Sequence, residues 1–171
     1  PPYDIIPEKM QNELYRSHAY NIVRLILGKI KKSDNDNDNR YTRARRFFKS
    51  WLKRHVMVQD TRPALYIYSQ SYKEDNRHID RVGFIGLMGL DTTSNNKILP
   101  HEDTLLAPKL DRLHLIREIR ANLSPIFVLY DDPRHKISNI LKKFCSKNRT
   151  LIDVRFDNVR HKVWALNDEH L

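Results

Sequence analysis

Two stretches of this chain combine β-forming residues with a turn, and they restrict the fold more than anything else in it. "PALYIYSQSY" is aromatic, β-branched and alternating, "RHIDRVGFIGLMGL" follows it, and the intervening "KEDN" can close a hairpin. Near the far end "TLIDVRFDNVRHKVWAL" predicts two further strands around "DN". The apolar run "NIVRLILG", ending in glycine, suits a buried strand, and "IFVLYDD" a short one. Helical patterns cover "EKMQNELYRS", roughly 41 to 55, about Pro108 to Leu123, and "HKISNILKKFCSK". The third of these should end at "SP", because proline disfavours a helical residue before it. Strands and helices intermingle without regular βαβ spacing. The expected class is therefore α+β, a mixed, largely antiparallel sheet with three or four helices packed on it.

With 171 residues, one domain spanning 1–171 is expected, with length enough for a substantial core. Within it "KKSDNDNDNR" has no apolar residue to bury, so residues 31–40 should form a flexible loop served by water. Hydrophobic residues make up 40% and charged residues 30%, which suits a soluble globular chain rather than a disordered one. No apolar run reaches the roughly eighteen residues that a membrane helix needs. The opening "PPYDIIPEKM" lacks the basic start and apolar centre of a secretion signal. Cys145 is the single cysteine, so no internal disulfide forms and a reducing cytoplasm is the expected setting. In "LKKFCSKN" it reads as a small half-buried residue rather than a nucleophile, and no zinc-type Cys/His spacing occurs.

The formal net charge is +10, which admits polyanions as partners. Its excess collects in "RYTRARRFFKSWLKRH" and "PRHKISNILKKFCSKNR". In the first, Ala44, Phe47, Phe48, Trp51 and Leu52 keep helical spacing while Lys and Arg fill the other side. A core-packing helix with a solvated basic face explains this without nucleic acid.

"PHEDTLLAPKLDR", residues 100–112, is harder to explain as a mere connection. A join that only turned the chain would use Gly, Asn, Pro or Ser rather than six ionisable groups. With the helix starting at Pro108, Lys109, Arg112, Leu113 and Ile116 fall on one side, expected to face the core, and Asp111, His114 and Glu118 on the other. Two cations in a first turn oppose the helix dipole, and an anion between them would offset that penalty. Phosphate or carboxylate binding by Lys109, Arg112 and His101 is one reading. The other has Lys109 and Arg112 pairing with Glu102, Asp103 or Asp111 as structural ion pairs. Glu102 and Asp111 are the candidate catalytic carboxylates, as general base or metal holder, and Glu102 is equally suited to be Arg112's counter-ion.

The order of these residues resembles the bacterial and archaeal domain-of-unknown-function family numbered 1015. The shared pattern is His101, Glu102 and Thr104; Pro108, Lys109, Asp111, Arg112 and Leu115; and Ala121, Asn122, Ser124, Pro125, Ile126, Phe127 and Tyr130. "PPYDII", "PALYIYSQSY", "RVGFIGLMGL" and "VRHKVWAL" also look like family segments, so the resemblance covers nearly the whole chain apart from the Asn/Asp-rich loop. Family members are longer and continue into an Asp-Gly-His-His-Arg-Tyr motif. That motif is similar to the phosphate-handling loop of the ParB and sulfiredoxin-like superfamily, which includes nucleotide-dependent free-serine kinases. Without it, this chain is expected to be a fragment or a naturally shortened relative, and to show no kinase or phosphatase turnover alone.

The expected function is the N-terminal part of a phosphate- or nucleotide-binding protein, in the direction of a phosphotransferase acting on a small hydroxyl compound. A kinase would call for a nucleotide with magnesium, and a small phosphorylated ligand or nucleotide would be the partner. The alternatives are a ParB-like nucleic-acid-binding module, using the two basic foci, or a non-enzymatic interaction domain. DNA binding is expected to be weak and sequence-independent, and no membrane partner is expected. Four glycines, with "GFIGLMG" in a predicted strand, leave no Gly-rich phosphate loop.

Overall fold

The computed structural model describes residues 3–89, 98–99 and 105–167. A 3-10 turn, Tyr3–Ile5, precedes α1 (Glu8–Ser17), α2 (Val23–Ile26) and α3 (Arg40–Lys53). Then come β1 (Leu65–Glu74), β2 (Arg77–Ile85), α4 (Leu106–Ile119), α5 (Lys136–Lys147), β3 (Ile152–Phe156) and β4 (Val159–Leu166). The class is α+β, and the strands form one antiparallel four-stranded sheet in the order β2-β1-β4-β3. Among the described residues no helix is long and apolar enough to cross a membrane. The chain groups into two compact units, Pro1–Gln59 with Asn96–Ile126, and Asp60–Asn95 with Phe127–Leu171.

The first unit is helical. Its α3 starts at a capping box: the Asn39 side chain accepts from the amides of Tyr41 and Thr42, and the Thr42 hydroxyl accepts from the Asn39 amide. Ala44 on α3 packs against Leu115 and Ile119 on α4, with Tyr41, Phe48, Ala121 and Leu123 around them. Val23 and Leu25 are fully buried. The segment "NIVRLILG" is therefore buried as expected, but it is a single helical turn and not a strand. A short apolar run fits either state. Here the Asn21 carboxamide oxygen accepts from the Val23 amide, which favours a helical start. After this turn the backbone runs so close to α3 that a Cβ on Gly28 would lie 3.0 Å from the Arg40 carbonyl oxygen. Glycine is the residue that permits that approach.

The polar stretch before α3 also departs from expectation. Asp34 receives two hydrogen bonds from Arg43, at 2.7 and 2.9 Å, and Asp38 pairs with Arg46. The Asn35 side chain accepts from the amides of Asn37 and Asp38. Water alone does not serve this stretch: Asp34 and Asp38 bind arginines of α3, and Asn35 bonds the amides that follow it.

The second unit is the sheet with α5 on one face. Leu141 on α5 buries against Ile67 and Trp164, flanked by Val82, Phe144 and Cys145. Burial raises the Cys145 thiol above its ordinary range, which favours the protonated form. Both hairpins close through two residues with positive φ, Asp75 and Asn76 (47° and 61°), and Asp157 and Asn158 (50° and 64°). These are the left-handed angles of a type I′ turn, which Asp and Asn tolerate and whose twist matches the strands. The segment "IFVLYDD" forms no strand, and residues 126–130 are exposed. Its apolar run suggested a sheet position, but none of the four strands pairs with it.

Candidate functional site

Of the candidate site residues, His101 and Glu102 lie outside the described residues. Lys109, Asp111 and Arg112 stand in the first two turns of α4. That helix begins at Leu106, two residues before the expected start, and Pro108 occupies its first turn, where a missing amide hydrogen breaks no intrahelical bond. Leu105 supplies no side-chain cap, and the first turn contains no acidic residue.

The buried face of α4 is not the one expected. Leu115 and Ile119 are the buried positions, while Lys109, Leu113 and Ile116 are exposed. Asp111, expected on the outer side, turns inward. The cause is visible in the sequence of the helix itself: Leu106, Leu110, Leu113, Leu115, Ile116 and Ile119 spread over well over half of its circumference rather than along one stripe. With no apolar stripe to set the rotation, packing on Ala44 of α3 sets it instead.

Asp111 is the centre of an ionic cluster. One carboxylate oxygen accepts from the Tyr41 hydroxyl at 2.8 Å and pairs with Arg40. The other accepts from Arg112 Nε at 3.0 Å and from Arg112 Nη2. Arg112 Nη2 also donates to the Ile26 carbonyl at 2.8 Å, tying α4 to the end of α2. The Tyr3 ring covers the guanidinium at 3.5 Å, and the Tyr3 hydroxyl donates to the Pro108 carbonyl at 3.5 Å. Arg112 Nη1 is buried without a hydrogen-bond partner. Burial on its own would raise the Asp111 carboxyl, but the hydrogen bonds of Arg112 and Tyr41 and the charges of Arg112 and Arg40 outweigh it. The group is held below its ordinary value of 3.8. Burial, followed by the carboxylate beside it, pushes the Tyr41 phenol upward. Asp111 is thus a fixed anion, suited to clamp two arginines and poorly suited to accept a proton near neutral pH.

A cavity beside this cluster is lined by Leu25, Gly28, Arg40, Tyr41, Asp111 and Arg112, among others, and measures about 10 Å³. That is room for about one water molecule, so a phosphate does not fit there. Arg112 and Lys109 do not converge on a concave surface. Arg112 points into the cluster, and Lys109 is exposed at the helix start.

The structure also shows where the basic helix spends its charge. Arg40 pairs with Asp111, Arg43 with Asp34, and Arg46 with Asp38. Arg45 lies 3.4 Å from Glu118, in charge contact without a hydrogen bond. The α3 arginines are therefore tied to carboxylates of their own unit. Sequence reasoning missed Arg40, Tyr41 and Tyr3 as members of the α4 site, because the pairs span 70 residues or more and no local spacing signals them. Among the described residues no group of three or more His, Cys, Asp or Glu is placed to hold a metal ion.

No curated protein and no solved structure matches this chain. The family model described as "Protein of unknown function (DUF1015)" matches residues 1–171, from the first turn through the α4 cluster to the end of the sheet. The chain belongs to that family of proteins of unknown function.

Proposed function

We propose that this chain binds phosphate or a nucleotide at the start of α4, with Lys109 as the phosphate-contacting cation and Arg112 holding that turn in place. The observation that carries this reading is the α4 terminus itself: no side-chain cap, no acid in the first turn, and an exposed Lys109 beside amides without intrahelical partners. The Arg112–Asp111–Arg40 clamp on the second turn and the Tyr3 hydroxyl on the Pro108 carbonyl support it, since together they hold the helix start in place. His101 and Glu102 precede this terminus by a few residues, and Glu102 is the carboxylate this reading assigns as base or metal holder. Nucleic acid is the weaker candidate, because Arg40, Arg43, Arg45 and Arg46 each face a carboxylate and have less charge to give to a phosphate backbone.

Phosphoryl transfer needs neutralising groups on several sides of the moving phosphate, and one helix start supplies one side. These 171 residues are therefore expected to bind without turnover. Calorimetric titration with ATP and magnesium, and separately with inorganic phosphate, tests the binding. Lys109→Ala should weaken it about tenfold, the scale of one charge-assisted hydrogen bond, and Lys49→Ala on exposed α3 should not. Equal loss in both variants would mean diffuse charge attraction and end the proposal. Consumption of nucleotide with free serine, abolished by Glu102→Gln, would instead make this a complete catalytic site.

A further inference from the structure

The sheet ends in an edge that is unusually matched to itself. In β3 every residue is exposed, including Ile152, Val154 and Phe156 at 45%, 51% and 69%. These three share the sheet face opposite α5 with Val163 and His161 of β4, their cross-strand partners being Val163, His161 and Val159. Asp153 and Arg155 lie on the other face. An exposed edge of alternating apolar residues is a template for another strand, and proteins commonly blunt it with charge.

Here the charges do not blunt the edge evenly. Arg155 stands directly opposite Arg160 of β4, a like-charge cross-strand pair. The only carboxylate in β3, Asp153, is drawn to Arg160, which donates to it at 2.8 and 2.7 Å. Arg155 is thus left beside a cation and, among the described residues, without a carboxylate of its own. Asp153 keeps acceptor capacity, since a carboxylate offers about four sites and Arg160 uses two.

We propose that β3 pairs antiparallel with β3 of a second copy of this chain, about a two-fold axis at Val154. In that register Val154 meets its own copy, and Ile152 meets the second copy's Phe156. Asp153 meets the second copy's Arg155, and by symmetry Arg155 meets its Asp153. Every apolar residue then faces an apolar one and every charge an opposite one. Each Arg155–Arg160 repulsion also gains a carboxylate alongside. A two-fold interface requires this self-complementarity. The other edge lacks it: β2 fully overlapped with itself sets Arg81 against its own copy. The joined β3 strands would make one eight-stranded sheet. A five-residue ladder buries less than the roughly 1,200 Å² of a standard interface, so the pairing should be micromolar rather than nanomolar.

Sedimentation of the whole chain over a concentration series tests this, with Asp153→Arg and Arg155→Asp as separate variants. The wild type should shift from monomer to dimer. Each variant alone should dimerise roughly tenfold more weakly or not at all, because both symmetric contacts become repulsive. Mixed one to one, the two variants should restore the dimer, since each carries the charges the other lacks. Restoration also shows that both variants are folded. A wild type that stays monomeric at several hundred micromolar, a dimer indifferent to either reversal, or a mixture that fails to associate would each overturn the proposal.

Discussion

Two aspartates of this protein each bind an arginine, and they do opposite kinds of work. Asp111 in the helical unit is 14% exposed and holds Arg40, Arg112 and the Tyr41 hydroxyl at once. Asp153 in the sheet unit is 34% exposed, and its partner Arg160 is 47% exposed. The first cluster is largely withdrawn from water, with room for about one molecule beside it. The second sits where water can readily replace a lost partner. Burial, more than bond geometry, decides which aspartate the fold depends on.

The two sites should differ most when each carboxylate is removed. Asp111→Ala leaves two arginines facing each other in a partly buried seam and should cost about 3–5 kcal/mol, enough to lower the unfolding midpoint strongly. Asp153→Ala, measured in dilute solution, should cost about 1 kcal/mol or less. Denaturant melts of the two variants side by side check this. A loss at Asp111 no larger than that at Asp153 would mean the cluster is wet and structurally unimportant.

Acid sharpens the same contrast. The Asp111 carboxyl is depressed in the folded state, so near its ordinary value of 3.8 the unfolded chain binds more protons than the folded one. Stability from this group is therefore complete above that value and is lost as pH falls through the lower folded value. Asp153 is depressed too, by the hydrogen bonds of Arg160, but it is 34% exposed, where screening weakens the effect. An Asp111→Asn variant should flatten the acid limb of the stability curve more than Asp153→Asn does. If the two limbs flatten equally, burial is not what separates the sites.

A smaller effect is expected at the cap of α3. Asn39→Ala removes the acceptor for two amides and should cost about 1 kcal/mol, between the two aspartate variants. Shortening residues 34–38 also removes the acids bound by Arg43 and Arg46, so its effect should equal or exceed that of the cap alone. A shortened loop that melts like the wild type would show those contacts to be dispensable.

Local chemistry determined a good deal of this protein in advance. "EKMQNELYRS" and "HKISNILKKFCSK" carry their own helical periodicity, and Asp-Asn pairs between β-branched runs specify tight hairpins, so α1, α5 and both strand pairs were legible, although β2 ends at Ile85 and not at the end of "RHIDRVGFIGLMGL". The α4 segment was legible as a helix and as a place of concentrated charge. Its rotation was not. Apolar residues spread over more than half of that helix, so the sequence left its buried side undetermined, and contact with Ala44 turned Asp111 inward and Lys109 outward. The fate of "NIVRLILG" was equally a matter of surroundings, because a short apolar run becomes whatever its neighbours can satisfy. Tertiary structure alone decided which cations are spent and which remain available. A guanidinium's partner is fixed by distance in space, and Arg40 reaches Asp111 across 71 positions of chain that no spacing rule connects.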